Sequence, residues 1–233
     1  MSVDTHRVLM GTCGWKHKAW LNDFYSEDLP EEWQLGFYSN EFPVVYVPAG
    51  DWVEAKYSDA EDLSEWEDDV SEGFRFILEI PAEVFGDETR FLAAVENIKS
   101  LGESCLGVVL LMTPNICDDK QFFKQRLISM QAVVPVCVDT QNILLSEEVT
   151  AVLSEANISE VWDGKSDEKE NYNRGTLAIS HISGDDLDMA GLRKAIEHCL
   201  SVSSEDCVSV FCLDGNPPSL ELLRNADIIL NLL

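Results

Sequence analysis

Short apolar runs alternate with amphipathic stretches from one end of the chain to the other, and this alternation restricts the fold more than any single motif. The runs at 8–12, 44–47, 74–80, 106–112, 134–139, 158–162, 176–181 and 207–213 are mostly continuous and rich in Val, Ile and Leu. Runs of that kind are expected of parallel strands covered on both faces. The stretches between them carry helix signals. Ser58 and Glu61 have capping-box spacing ahead of Leu63, Trp66 and Val70. Asp87 precedes the stripe Phe91, Val95 and Ile98, with Gly102 placed as a C-cap. Phe123, Leu127 and Met130 form another stripe, as do Leu192, Ile196 and Cys199. Pro217 and Pro218 are expected to open the last helix. Eight strand and helix units predict an α/β chain folded as a compact TIM (β/α)8 barrel, one domain over residues 1–233. Such barrels ordinarily take about 250 residues. The polar stretch 163–175 leaves the sixth helix short or missing. A doubly wound open sheet is the competing architecture, but it ordinarily announces a Gly-rich phosphate loop after its first strand, and the sequence has none there.

Charge limits the partners. The 233 residues hold 43 Asp and Glu against 16 Lys and Arg, a formal charge of −27. A hydrophobic fraction of 45% still supplies a core, so the acidity does not imply disorder. Nucleic acid and anionic membranes are excluded as expected partners, because both are bound through basic residues that neutralise phosphates. A saline habitat would account for the excess without reference to function. Ten acids between residues 51 and 72 face a single base, Lys56, so the second helix should carry a solvated acidic face. That face is also where a basic protein partner would dock. No run reaches the length of a membrane span or a signal peptide, and a cytoplasmic location is expected. The seven cysteines form no CxxC pair and mostly lie in or beside apolar runs, which predicts buried reduced thiols rather than a disulfide framework or a zinc site.

The segment GTCGW at residues 11–15, followed by Trp20, FYSEDLP at 24–30, Trp33, Tyr38 and Phe42, resembles the signature of the YecE-like family, domain of unknown function 72. GFRFILEIP at 73–81, GVVLLMTP at 107–114 and the VFCLDGNPP ending extend the resemblance along the whole chain. It implies a TIM barrel without a settled activity. The sequence departs from the family pattern at the strand ends. Tyr46 stands where the second strand has a Glu-containing segment, and Glu79 where the third has a Lys. Met112 replaces a Gln, and Cys137 and Asp139 replace a Glu and an Arg. On the seventh strand only His181 of an R-x-H element remains, with Ile179 in place of the Arg. Three basic positions are lost, so a pocket shaped for an anion would be inverted in charge.

In a TIM barrel, function gathers at the C-terminal ends of the strands. The expected ligand-binding residues there are Trp15, Tyr46, Glu79, Asp139, His181 and Asp214, an acidic and aromatic set. It suits a small polar or cationic ligand, and the leading expectation is a non-catalytic or degenerate family member binding such a ligand or a protein at the barrel mouth. The alternative is a metal-assisted hydrolase or isomerase in which Glu79, Asp139 and His181 hold a divalent metal as cofactor. Strand parity puts Cys137 with Asp139, and Ile179 with His181, on common faces. Two carboxylates flanking a sugar stacked on Trp15, Trp20 or Trp52 is a further reading. Cys13 with His17 is a conceivable nucleophile and base, although the family signature also accepts Ser at the cysteine position. Trp15, Trp20 and Trp33 are expected to pack in the core or a lid, and Lys16, His17 and Lys18 to face water.

Overall fold

A computed structural model describes residues 8–53, 63–113, 116, 119–141, 143–165, 171–185 and 187–233. Eight parallel strands form one sheet: β1 (Val8–Cys13), β2 (Val44–Val47), β3 (Arg75–Ile80), β4 (Cys105–Leu111), β5 (Val136–Asp139), β6 (Ser159–Glu160), β7 (Leu177–Ser183) and β8 (Val208–Asp214). The ladder runs β6-β5-β4-β3-β2-β1-β8-β7. A parallel bridge between Trp162 and Ser180 joins its two ends. There the Trp162 amide donates to the Ile179 carbonyl and the His181 amide donates to the Trp162 carbonyl, each at 2.9 Å. The sheet is therefore a barrel, with all eight strands where the apolar runs predict them.

Helices cover the outside: α1 (Gln34–Glu41), α2 (Ala49–Trp52), α3 (Leu63–Asp69), α4 (Ala82–Gly86), α5 (Glu88–Ser100), α6 (Lys120–Gln131), α7 (Glu147–Glu155), α8 (Met189–Val202) and α9 (Leu220–Leu230). No α-helix occurs among the described residues between β6 and β7, as the polar stretch implies. The helix starts follow local chemistry, since the side chains of Asp87, Asp119, Ser146, Asp188 and Ser219 each accept from a backbone amide in the first turn. Gly102, at φ +52°, follows the end of α5 in the left-handed conformation that closes a helix. The expected capping box at Ser58 and Glu61 lies outside the described residues. One expectation is corrected. The last helix begins at Leu220 behind a Ser219 cap, and the prolines stay outside it because the serine supplies the acceptor that the first turn needs.

Two apolar layers follow from strand parity. Val44, Tyr46, Ile77, Val109, Cys137, Ile179, Val210 and Cys212 point inward and fill the barrel. Their alternating neighbours, such as Val45, Phe76, Val108, Val138 and Phe211, point outward under the helices. The stripes Phe91, Val95 and Ile98, Phe123, Leu127 and Met130, and Leu192, Ile196 and Cys199 are all buried in this outer layer. On α3, Leu63 and Trp66 are buried while Glu65, Glu67, Asp68 and Asp69 face solvent. Among the described cysteines none is paired, and five of the six are buried.

Candidate functional site

The GTCGW segment is first a structural knot. A Cβ on Gly11 would lie 1.9 Å from the Val44 carbonyl oxygen, so only glycine lets β1 approach β2 here. Gly14 turns at φ +71° and donates its amide to the Tyr46 carbonyl at 2.8 Å. The Thr12 hydroxyl donates to the Gly14 carbonyl, and the buried Tyr38 hydroxyl takes the Thr12 amide and donates to the Val44 carbonyl. Tyr25 donates to the Trp15 carbonyl at 2.8 Å. These bonds fix where Cys13 leaves the end of β1.

Above the inner apolar layer, the next inward positions make the mouth. Tyr46 donates to Glu79 Oε2 at 3.0 Å, and the Ala49 amide donates to Oε1 at 3.2 Å. The Trp52 indole donates to the Glu79 carbonyl at 2.8 Å. Burial first, and then the Glu79 carboxylate, push the Tyr46 phenol well above its ordinary range, so it remains a donor. The Tyr46 ring also packs against His181, with centroids 4.7 Å apart. His181 Nε2 lies 3.7 Å from Asp214 Oδ2, and Cys13 completes a group whose donor atoms all fall within 4.8 Å of one another. The other Asp214 oxygen accepts from the Gly215 amide at 2.7 Å. Beside this group opens a cavity of about 550 Å³, lined by Asp139, Gln141, Asp163, Lys165, His181 and Asp214 among others. Among the described residues Lys165 is its only Lys or Arg, and its ammonium sits 3.0 Å from Asp163 Oδ2.

Of the six residues expected to bind ligand, Tyr46, Glu79, His181 and Asp214 come together at the mouth, and Asp139 lines the cavity with one oxygen taken by the Gln141 amide at 2.8 Å. Trp15 goes elsewhere. It is 1% exposed, edge-on to Trp66 at 5.1 Å, and lines a separate acidic recess with Glu31, Glu32, Glu65 and Asp69. Glu79, Asp139 and His181 do not assemble as a ligand set, although all three point inward as parity requires. They stand on β3, β5 and β7: one strand separates β3 from β5 and one separates β5 from β7, and β3 and β7 face each other across the ring. The set that does assemble lies on β7, β8 and β1, which are direct neighbours. Cys13 and Asp214 were legible as strand ends, but their grouping with His181 depends on which strand ends are adjacent after closure.

Other expectations resolve as follows. Burial, reinforced by Asp214, Glu79 and Asp51, drives the Cys13 thiol upward, opposite to what a nucleophile needs. His17 turns its Nε2 to the Cys13 carbonyl oxygen at 2.9 Å, not to the sulfur. Trp20 is buried and donates to the Pro218 carbonyl, whereas Trp33 is 65% exposed and packs in no core, because it sits at the end of a 3-10 turn ahead of α1. Lys16 and Lys18 face solvent.

The profile of the family described as "Protein of unknown function DUF72" matches residues 9–181. Among solved structures, a DUF72 family protein (TM1631) of Thermotoga maritima superposes with a TM-score of 0.70 and 13% identity, over 97% of this chain and 99% of that one. Leishmania donovani UMP synthase gives a TM-score of 0.47 and 13% identity, over 87% of this chain and 48% of that one. No curated protein matches the sequence. At such identity the structural likeness carries the fold alone, and the family rests on the sequence profile. Because that profile spans most of the barrel, from β1 into β7, the chain belongs to the DUF72 family of proteins of unknown function.

Proposed function

We propose that the protein binds a small cationic or neutral polar ligand at the barrel mouth, as a non-catalytic member of its family. The observation that carries this reading is the charge of the cavity. Among the described residues, Asp139, Asp163 and Asp214 line it together with one lysine that is already paired with Asp163. An anionic ligand would have to displace that ion pair and still face two further carboxylates, while an ammonium or guanidinium group would find acceptors on several sides. The raised Cys13 thiol and the orientation of His17 support a binding role over nucleophilic catalysis. Reduced thiols fit an intracellular compartment.

The test is a thermal-shift and calorimetric panel of small amines and guanidines set beside phosphate monoesters and carboxylates. The expected result is stabilisation by one or more cations, weakened about tenfold, or roughly 1.4 kcal/mol, by Asp139→Asn or Asp163→Asn. Binding confined to the anions would sink the proposal. A metal-assisted hydrolase or isomerase is the second reading, and one observation favours it: the proximity of Cys13, His181 and Asp214.

A further inference from the structure

We infer that Cys13, His181 and Asp214 form a binding site for a single transition-metal dication of the Zn²⁺ or Co²⁺ class at the inner end of the mouth. The inference rests on the reading of that mouth as a place for positive charge, and it names residues and a ligand class that the ligand-binding proposal does not require.

The geometry fits. Zinc bonds of about 2.0–2.3 Å in a tetrahedral arrangement put ligand atoms about 3.3–3.6 Å from one another. His181 Nε2 and Asp214 Oδ2 are 3.7 Å apart, and no pair in the group exceeds 4.8 Å. Modest side-chain adjustment closes the set around an ion. A separate observation points to a missing ligand. His181 Nε2 is buried from solvent and has no hydrogen-bond partner, an arrangement that costs about 1–3 kcal/mol unless something satisfies it. At 3.7 Å the Asp214 oxygen is too distant to do so directly, yet it stands where a second ligand to a shared ion would stand.

The three side chains are also held in place. The Gly215 amide takes Asp214 Oδ1 and leaves Oδ2 for the group. The Cys13 backbone is fixed by the β1–β2 register and by the hydrogen bond its carbonyl accepts from His17 Nε2. The His181 ring rests on Tyr46. Oriented ligands of this kind bind metal more tightly than free ones. One sulfur, one imidazole nitrogen and one carboxylate oxygen form a mixed set that suits zinc or cobalt, whereas Mg²⁺ and Ca²⁺ take oxygen throughout. On binding, the Cys13 S–H bond breaks, a metal–sulfur bond forms, and the proton passes to solvent. The thiolate and the carboxylate together neutralise the dication. Glu79 and Asp51 add negative potential around Cys13, which favours the ion's entry. Three protein ligands leave one tetrahedral position, on the side of the cavity that His181 and Asp214 line.

The experiment uses the full chain, stripped with a chelator and titrated with Co²⁺. The expected result is one Co²⁺ per chain with a thiolate-to-cobalt charge-transfer absorption, displaced by Zn²⁺. Cys13→Ser should abolish that absorption, and Asp214→Asn should weaken Co²⁺ binding at least tenfold, with circular dichroism showing that both variants fold. Protection of Cys13 from iodoacetamide by Zn²⁺, read by peptide mass spectrometry, makes the same test without any variant. Absence of the absorption at saturating Co²⁺, its persistence in Cys13→Ser, or no Zn²⁺ protection of Cys13 would overturn the site. Amine binding by the wild-type chain with no cobalt absorption at saturating Co²⁺ would remove the metal site alone. The reverse pattern, cobalt binding with no response to any amine, would remove the organic ligand alone.

Discussion

Tyr46 hands a hydrogen bond to Glu79 across the β2–β3 ladder, 3.0 Å from its hydroxyl to the carboxylate. Tyr46 pairs in register with Ile77, so Glu79 is its diagonal neighbour on the same inward face. Here the carboxylate stands on the third strand and a phenol answers it from the second. The acid at this part of the mouth therefore has a neutral hydrogen-bond donor. Glu79 is held at the mouth by this phenol and by the Ala49 amide.

Removing that donor should be costly. Tyr46→Phe keeps the ring against His181 and deletes one bond to a carboxylate, leaving Glu79 with the Ala49 amide. A loss of roughly 1.5–3 kcal/mol is expected. Urea denaturation measures it, and an unchanged midpoint would show that Glu79 finds another partner.

Gly11 and Gly73 should respond differently to alanine. At Gly11 the new Cβ meets the Val44 carbonyl oxygen at 1.9 Å, so β1 and β2 must part, and we expect a loss above roughly 4 kcal/mol or no soluble protein. Gly73 has a φ of +85° but open space around its Cβ position, and its replacement should cost only about 1–2 kcal/mol. Melting curves of the two variants, side by side, check the contrast.

Stability should fall in mild alkali. Burial raises the Cys199 thiol from its ordinary 9.0 to about 11. The unfolded thiol begins to ionise near the lower value while the folded one does not. The contribution is therefore complete below about pH 9 and is lost as pH rises from 9.0 to about 11, amounting to roughly 2–3 kcal/mol. Cys105, raised by burial to about 12, acts in the same direction. Urea midpoints measured from pH 8 upward should decline, and Cys199→Ala should flatten part of the slope.

Salt should stabilise the protein. With a formal charge of −27, and Glu65, Glu67, Asp68 and Asp69 exposed together on α3, self-repulsion opposes the compact state. Raising ionic strength from about 0.01 M to 0.15 M shortens the screening length from about 30 Å to about 8 Å. The melting temperature should rise by several degrees. A flat response would mean that the acids are already locally compensated.

The barrel was readable because strand patterns and helix caps are local. Val44–Val47 and Cys105–Leu111 are apolar on both faces whatever surrounds them, and Asp87 caps α5 with an amide three residues away. Parity alone put Asp139 on one face with Cys137 and His181 on one face with Ile179, and the barrel turns both faces inward. Parity could not say which of them meet, because inward-facing residues on alternate strands remain separated across the ring. Trp15 shows the converse. Its neighbours in GTCGW reach the mouth, yet its own ring turns outward to Trp66, a contact across 51 residues that nothing in the motif encodes.

The sequence by itself determined the eight strands, their order along the chain and the acidic excess. Ring closure decided the chemistry. β1 and β8 are nearly 200 residues apart in the chain, yet pairing between them, with β7 beside β8, brings Cys13, Asp214 and His181 within reach of one ion. Hydrophobic periodicity acts over a few residues. Which strand ends become neighbours is fixed only when the last strand hydrogen-bonds to the first.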